Sequence, residues 1–134
     1  MRNLPVLICA ALVFHAAPAL ALDPSGRAVK VSPAVNALGP GGDRLIRLEG
    51  AVFVGDQIVA SSQGLAQIEF IDGTRLVVGP NSRLTIDTFV FNADNTAKEV
   101  TINMLKGSFR FISGNSPDSA YKIRTPTMTA GFRG

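Results

Sequence analysis

Tryptophan is absent from this chain, and cysteine and histidine occur once each, at Cys9 and His15. Both lie within the first 21 residues, which read as a removable leader, so the exported form has no thiol, no imidazole and no indole. That excludes disulfide staples, Cys/His zinc sites and Ser-His or Cys-His nucleophilic catalysis. The lack of disulfides is tolerable because roughly 110 residues bury a single core unaided. One domain is expected. No window after the leader carries apolar residues at helical spacing over three turns. Nor is there a basic run of the kind that marks nucleic-acid contact, and an exported chain rarely meets nucleic acid, so no such partner is expected.

What is present begins with the leader itself. Met1 and Arg2 give a short basic start, Leu4 to Ala17 is an apolar run broken only by Pro5 and His15, and Ala19-Leu20-Ala21 offers small residues at both positions a signal peptidase reads. Cleavage after Ala21 and a periplasmic or secreted destination are expected. The alternative is an uncleaved anchor, since Leu4 to Leu22 approaches the ~18 residues of a spanning helix. Pro18 and the A-x-A ending favour cleavage. Cys9 sits inside the apolar run instead of closing it, which argues against a lipoprotein anchor.

After the leader, apolar residues alternate with period two in runs of four to eight, cut by Gly, Pro, Asn and Asp, which reads as strand and turn throughout. Val52 and Val54 alternate before Gly55-Asp56. Ala66, Ile68 and Phe70 share one face, with Gln67 and Glu69 on the other. Asp72-Gly73 then supplies a dipeptide that tolerates positive φ in a tight hairpin. Leu76 and Val78 resume the inward parity, Gly79-Pro80-Asn81-Ser82 turns the chain again, and Leu84 and Ile86 follow. Because the next apolar pair is Phe89 and Phe91, a bulge or corner near Thr88 must reset which face is buried. Val100, Ile102 and Met104 make a further strand, with a second parity shift around Lys106-Gly107 before Phe109 and Phe111. A loop from Ser113 to Ser119 leads to Tyr121, Ile123 and Thr125 pointing in, and Pro126 turns the chain beyond them. The fold class is all-β, with short strands in a β-roll or β-solenoid-like arrangement or in a sandwich. Residues 22–44 hold three prolines and four glycines and are expected to form an extended arm with at most a short edge strand at Val29 to Val31. The compact domain then runs over 45–134.

Glu69, Asp72 and Asp87 are the carboxylates that a hydrolase would need. Glu69 and Asp87 fall on the solvent parity, while Asp72 occupies a turn position where its side chain bonds nearby backbone N–H groups. Nothing in their spacing makes them converge in a cleft. The polar loop Asn92 to Lys98 lacks the acid spacing of a calcium loop. No catalytic residue, cofactor or metal is therefore expected, and the glycines together with Asp72, Pro80, Asn81 and Pro126 are read as turn chemistry.

The formal net charge is +3, unevenly spread. From Met104 onward there are five bases and one acid, against seven bases and nine acids from Leu22 to Asn103. Pairing of the strands around Phe109 and Ile123 as a hairpin would gather Arg110, Lys122 and Arg124 on one outer face. Such a face has two readings: like charges accommodated by neighbouring acids or water, or a surface for an anionic partner.

Several motifs occur in order: D-G-T at Asp72 to Thr74, G-P-N-S at Gly79 to Ser82, K-G-x-F-R-F at Lys106 to Phe111, and T-P with a closing G-x-R-G between Thr125 and Gly134. In this order, from about Val31 to Gly134, the chain resembles the FecR-type domain of exported bacterial proteins. The resemblance implies an all-β domain outside the cytoplasm that acts through protein contacts, with no catalytic residues to carry over. The family's name-giving member relays receptor occupancy to a sigma factor from a membrane-spanning position. This chain instead starts with a signal peptide, and it stops at Gly134 where such domains continue into further strands. A strand over Thr127 to Gly134 would then have an unpaired edge, and self-association through it is expected. The leading expectation is a non-enzymatic interaction or sensing module of the cell envelope whose partner is an envelope protein. The alternative is a domain that binds cell wall or an anionic glycan through the basic stripe.

Overall fold

The computed structural model describes residues 3, 11 and 23–126. Apart from the two isolated positions, the expected leader lies outside the described residues, as does the strand expected over Thr127 to Gly134. Among these residues eleven strands follow in order. They are β1 (Gly26–Ser32), β2 (Val35–Leu38), β3 (Arg44–Leu45), β4 (Ala51–Val52), β5 (Gln57–Ala60) and β6 (Leu65–Phe70), then β7 (Arg75–Val78), β8 (Arg83–Phe91), β9 (Ala97–Lys106), β10 (Phe109–Ile112) and β11 (Tyr121–Arg124). A 3-10 turn at Asp118–Ala120 precedes β11. Among the described residues no helix is long and apolar enough to cross a membrane.

The strands form two open sheets, ordered β10-β7-β6-β1-β4 and β11-β9-β8-β5-β2-β3. They share one core. Ala28, Ile68, Phe70, Leu76 and Val78 from the first sheet meet Val35, Ile58, Leu84, Ile86, Val100 and Ile102 from the second. Alternation along each strand puts every second side chain into this layer, which is why the period-two reading survives in the structure. Phe70, Phe89 and Phe91 stack in sequence across the two sheets, with centroids 4.5 and 4.6 Å apart. The result is a two-sheet arrangement of the sandwich kind, and the roll or solenoid alternative is not seen.

The chain changes sheet repeatedly, and the corners carry the turn residues read from the sequence. At Gly73 φ is +83°, which closes the β6–β7 hairpin with Gly73 N–H donating to the Phe70 carbonyl at 2.9 Å. Two further corners lock onto each other. Asn81 takes φ +56° between β7 and β8, and Gly107 takes φ +103° between β9 and β10. Gly79 N–H donates to the Ser108 carbonyl at 2.9 Å, and Ser108 N–H donates to Ser82 Oγ at 2.9 Å. A Cβ on Gly107 would collide with Ser82, so glycine is required there for space as well as for φ. Pro126 lies in a bend just after β11.

The expected parity reset is also present. The β8–β9 register shifts between Ile86 and Thr88, so Asp87 bulges outward and Phe89 returns to the core. Val54, by contrast, is exposed, because β4 ends at Val52.

Residues 23–44, within the stretch expected as an extended arm over 22–44, are built into both sheets. β1 lies between β6 and β4 in one sheet, and β2 between β5 and β3 in the other. Ala28, Val35 and Ala37 are fully buried. Prolines and glycines suggested a linker, but they occupy the ends and corners of these strands, leaving short alternating stretches free to pair with partners some 20 to 40 residues later in the chain. The compact domain thus starts well before Leu45.

Candidate functional site

Arg110, Lys122 and Arg124 do not share a ladder. β10 pairs antiparallel with β7, placing Arg110 opposite Val77 in the five-stranded sheet. β11 pairs parallel with β9 in the six-stranded sheet, placing Lys122 opposite Thr101 and Arg124 opposite Asn103. A β10–β11 hairpin fails because the connecting segment is used to cross from one sheet to the other. The expected single face is therefore split. Both strands nevertheless end their sheets on the same side of the molecule, and Phe111 and Tyr121 meet there edge to face at 5.4 Å.

All three cations are exposed. The ion pairs among the described residues are Arg27–Glu49, Arg44–Asp56 and Arg75–Glu69, so none of the three has a carboxylate within salt-bridge reach. Beside the end of β11 lies an open depression of about 440 Å³, whose lining includes Met104, Leu105, Lys106 and Phe109. It continues past Asn103 and Arg124 into a smaller one of about 290 Å³. Apolar floor and basic rim thus adjoin the two sheet edges.

The three carboxylates considered for catalysis are held apart. Glu69 sits on the outer face of β6 and reaches Arg75 at 3.8 Å across the β6–β7 hairpin. Asp87, on the bulge of the other sheet, accepts a hydrogen bond from the Asn103 side-chain amide. Asp72 is 2% exposed and enclosed. Its surroundings exceed the turn role read from the sequence. Asp72 Oδ1 accepts the Thr74 N–H at 3.0 Å. Its Oδ2 accepts hydroxyl protons from Thr74 at 2.8 Å, Ser116 at 2.8 Å and Tyr121 at 2.7 Å. Ser116 Oγ in turn accepts the Ala97 N–H at 2.5 Å, and Asn115 N–H donates to the Asp72 carbonyl at 3.0 Å. One carboxylate thereby ties the β6–β7 turn to the loop before β11 and, through Ser116, to the start of β9. Its acceptor capacity is used by protein donors, which suits a structural pin and leaves it poorly placed to take a substrate proton.

A second buried carboxylate was read only as part of a turn. Asp56 is fully buried and binds the Arg44 guanidinium through both oxygens, at 2.6 and 3.2 Å, while also accepting the Phe53 N–H at 2.8 Å. Arg44 lies 5.0 Å over the Phe53 ring and donates to the Ala51 carbonyl at 3.0 Å. This fork clamps the β2–β3 connection to the β4–β5 turn. The sequence offered one weak signal for it, an arginine and an aspartate each beside a glycine-rich turn, and nothing to pair them.

At the opposite end of the sheets an open groove of about 510 Å³ is lined by Pro24, Arg27, Glu49, Glu69 and Ile71, among others. Its charges are paired with one another: Arg27 with Glu49 at 2.8 Å, and Glu69 with Arg75. Arg110, Lys122 and Arg124, by contrast, have no carboxylate in salt-bridge reach among the described residues.

A protein-family model described as FecR protein matches residues 56–134. The match starts later than the resemblance noted from about Val31, although β1 and β2 complete both sheets ahead of it. No match was found among curated proteins or among solved structures.

Proposed function

The chain belongs to the FecR family, and from that premise we propose that it is an exported module of the cell envelope that works by binding or sensing another envelope protein and performs no chemistry of its own. The observation that carries this reading is the family match over residues 56–134, within which three exposed cations on β10 and β11 have no carboxylate in salt-bridge reach among the described residues. Exposed charge of one sign selects and steers a partner of the opposite sign. Buried carboxylates that serve as pins support a binding role over a catalytic one. Relay to a sigma factor is no part of this proposal.

The unpaired Arg110, Lys122 and Arg124 also favour a second reading, adhesion to cell wall or another anionic glycan. One experiment separates the two: capture of envelope proteins on the immobilised 22–134 protein, beside co-sedimentation with purified cell wall at low and high salt. The first reading expects defined protein partners and little sedimentation. Sedimentation that is lost as salt rises, without protein capture, would replace it with the second.

A further inference from the structure

We infer that the outer face of the five-stranded sheet is the docking surface for an acidic protein partner. This rests on the reading of the protein as an interaction module, and it names the surface used and the charge of what it binds.

Strand register places the cations. Across β1, β6, β7 and β10 one row runs Lys30, Gln67, Val77, Arg110, and the next runs Arg27, Glu69, Arg75, Ile112. The alternate residues Ala66, Ile68, Leu76 and Val78 are fully buried, so both rows point away from the core. Arg110 and Ile112 thus lie on the side of β10 opposite to Phe109, which packs inward. Arg27, Lys30, Arg75 and Arg110 are all exposed. Three inter-strand steps of roughly 4.8 Å separate Lys30 from Arg110, which makes a plateau about 14 Å wide. Because β1, β6 and β7 are bonded on both sides, the plateau offers side chains to a partner and no open backbone.

Positive charge is in excess there. Against those four cations stand Glu69 and, at the margin, Glu49. Glu49 pairs with Arg27 at 2.8 Å and Glu69 with Arg75 at 3.8 Å, both largely in solvent, and exposed pairs of this kind are weak enough to exchange for a better partner. Lys30 and Arg110 have no carboxylate within salt-bridge reach among the described residues.

Shape and composition select the occupant. A second copy docking by the same face would set cations against cations. Neither row holds an aromatic ring on which a sugar could stack, and the surface is flat sheet with no cleft to hold a small molecule. Arginines beside half-buried apolar side chains, here Val77 and Ile112, match protein contacts, in which a planar guanidinium takes a carboxylate through two hydrogen bonds. At its Arg27 end the plateau runs into the open groove of about 510 Å³, where the exposed Ile71 gives an apolar side chain of the partner a seat.

The test is photo-crosslinking in cells that export the protein from its full-length chain, with adducts sequenced by mass spectrometry. The reactive group replaces Gln67, in the middle of the plateau, or Asn36, on the outer face of the six-stranded sheet. Position 67 is expected to give a discrete protein adduct whose crosslinked segment carries net negative charge, and position 36 at most a tenth of that yield. K30E/R110E should lower the yield from position 67 at least tenfold, and the gentler K30Q/R110Q by an intermediate factor, with unchanged circular dichroism of the purified protein. K122E/R124E makes the same change of charge on the other sheet and should stay within twofold of the parent. The inference is overturned by adducts to glycan or to a second copy alone, by a neutral or basic crosslinked segment, by equal loss in K122E/R124E, by undiminished yield in both Lys30/Arg110 variants, or by no adduct from position 67. If it is overturned while the immobilised 22–134 protein still captures envelope proteins, the interaction reading stands and the contact lies elsewhere. Loss of the interaction reading itself would appear as cell-wall sedimentation without any protein capture.

Discussion

Removing the Asp72 carboxylate should be among the most damaging single changes outside the apolar core. In Asp72→Ala, the Thr74 N–H and the hydroxyls of Thr74, Ser116 and Tyr121 all lose their acceptor at a site only 2% exposed. A hydrogen bond to a charged group contributes about 1.5–3 kcal/mol, and the four are not additive, because some hydroxyls can turn to one another: Thr74 Oγ1 and Tyr121 OH are already 3.1 Å apart. A buried donor left without an acceptor costs about 1–3 kcal/mol, so with this partial rescue a total of about 3–5 kcal/mol is expected, a large part of a total stability of about 5–15. For a chain of this size that lowers Tm by on the order of 12–20 °C. Tyr121→Phe removes one donor and leaves the rest, so about 1–2 kcal/mol is expected. Asp87→Ala, at the exposed bulge, should stay within about 0.5 kcal/mol. Urea denaturation of the 22–134 protein, followed by circular dichroism, gives all three values. Adding Tyr121→Phe to Asp72→Ala should cost little more than Asp72→Ala alone, since the tyrosine has already lost its acceptor. A loss below about 1 kcal/mol for Asp72→Ala, or full additivity in the double variant, would refute the view of this carboxylate as the pin between the β6–β7 turn and β11.

Other substitutions probe the corners and the termini. Gly73→Val should cost about 1 kcal/mol or more, because a β-branched residue is strained at φ +83°, whereas Glu69→Ala should stay within about 0.5 kcal/mol; equal losses in denaturation would contradict the assigned turn. Gly107→Ala should cost more than Gly73→Ala, by about 1–2 kcal/mol, since both have positive φ but only at Gly107 would the new Cβ run into Ser82, and equal melting temperatures would contradict the locked corners. Asp94 accepts the Thr96 hydroxyl and N–H, which hold its carboxyl below its ordinary value of 3.8; the small stability this adds is present above that value and is lost as pH falls through the lower folded value, and an NMR titration giving a midpoint at or above 3.8 would contradict it. N-terminal sequencing of exported protein should begin at Leu22, and an intact Met1 would contradict cleavage after Ala21.

Local features were legible in the sequence because local chemistry decides them. The alternation of Ala66, Ile68 and Phe70, the turns at Gly73 and Asn81, and the reset after Ile86 each depend on neighbours a few residues away. Partner choice was not legible. Parity says which side of a strand is buried but not which strand lies beside it, so a β10–β11 hairpin stayed open as a possibility in the sequence, whereas the two strands end two different sheets. The N-terminal stretch misled for a related reason: its prolines and glycines mark corners, and a corner-rich segment reads like a linker until its distant partners are known. Asp72 looked like a turn residue because only Thr74 is local to it, while Ser116 and Tyr121 arrive from 44 and 49 residues away. Asp56 and Arg44 likewise meet only through the fold. The split of Arg110 from Lys122 and Arg124 between two sheets follows from the same long-range pairing.

The most direct test of the account is site-specific photo-crosslinking in living cells, with the reactive group placed at position 110 on β10, at position 122 on β11, and at position 48 in the loop joining β3 to β4, on the far side of both sheets. The account predicts a discrete adduct with an envelope protein from position 110, weaker or absent from positions 122 and 48. Crosslinks that form from position 122 or 48 and not from position 110, or that join position 110 only to glycan or to a second copy of the chain, would contradict it.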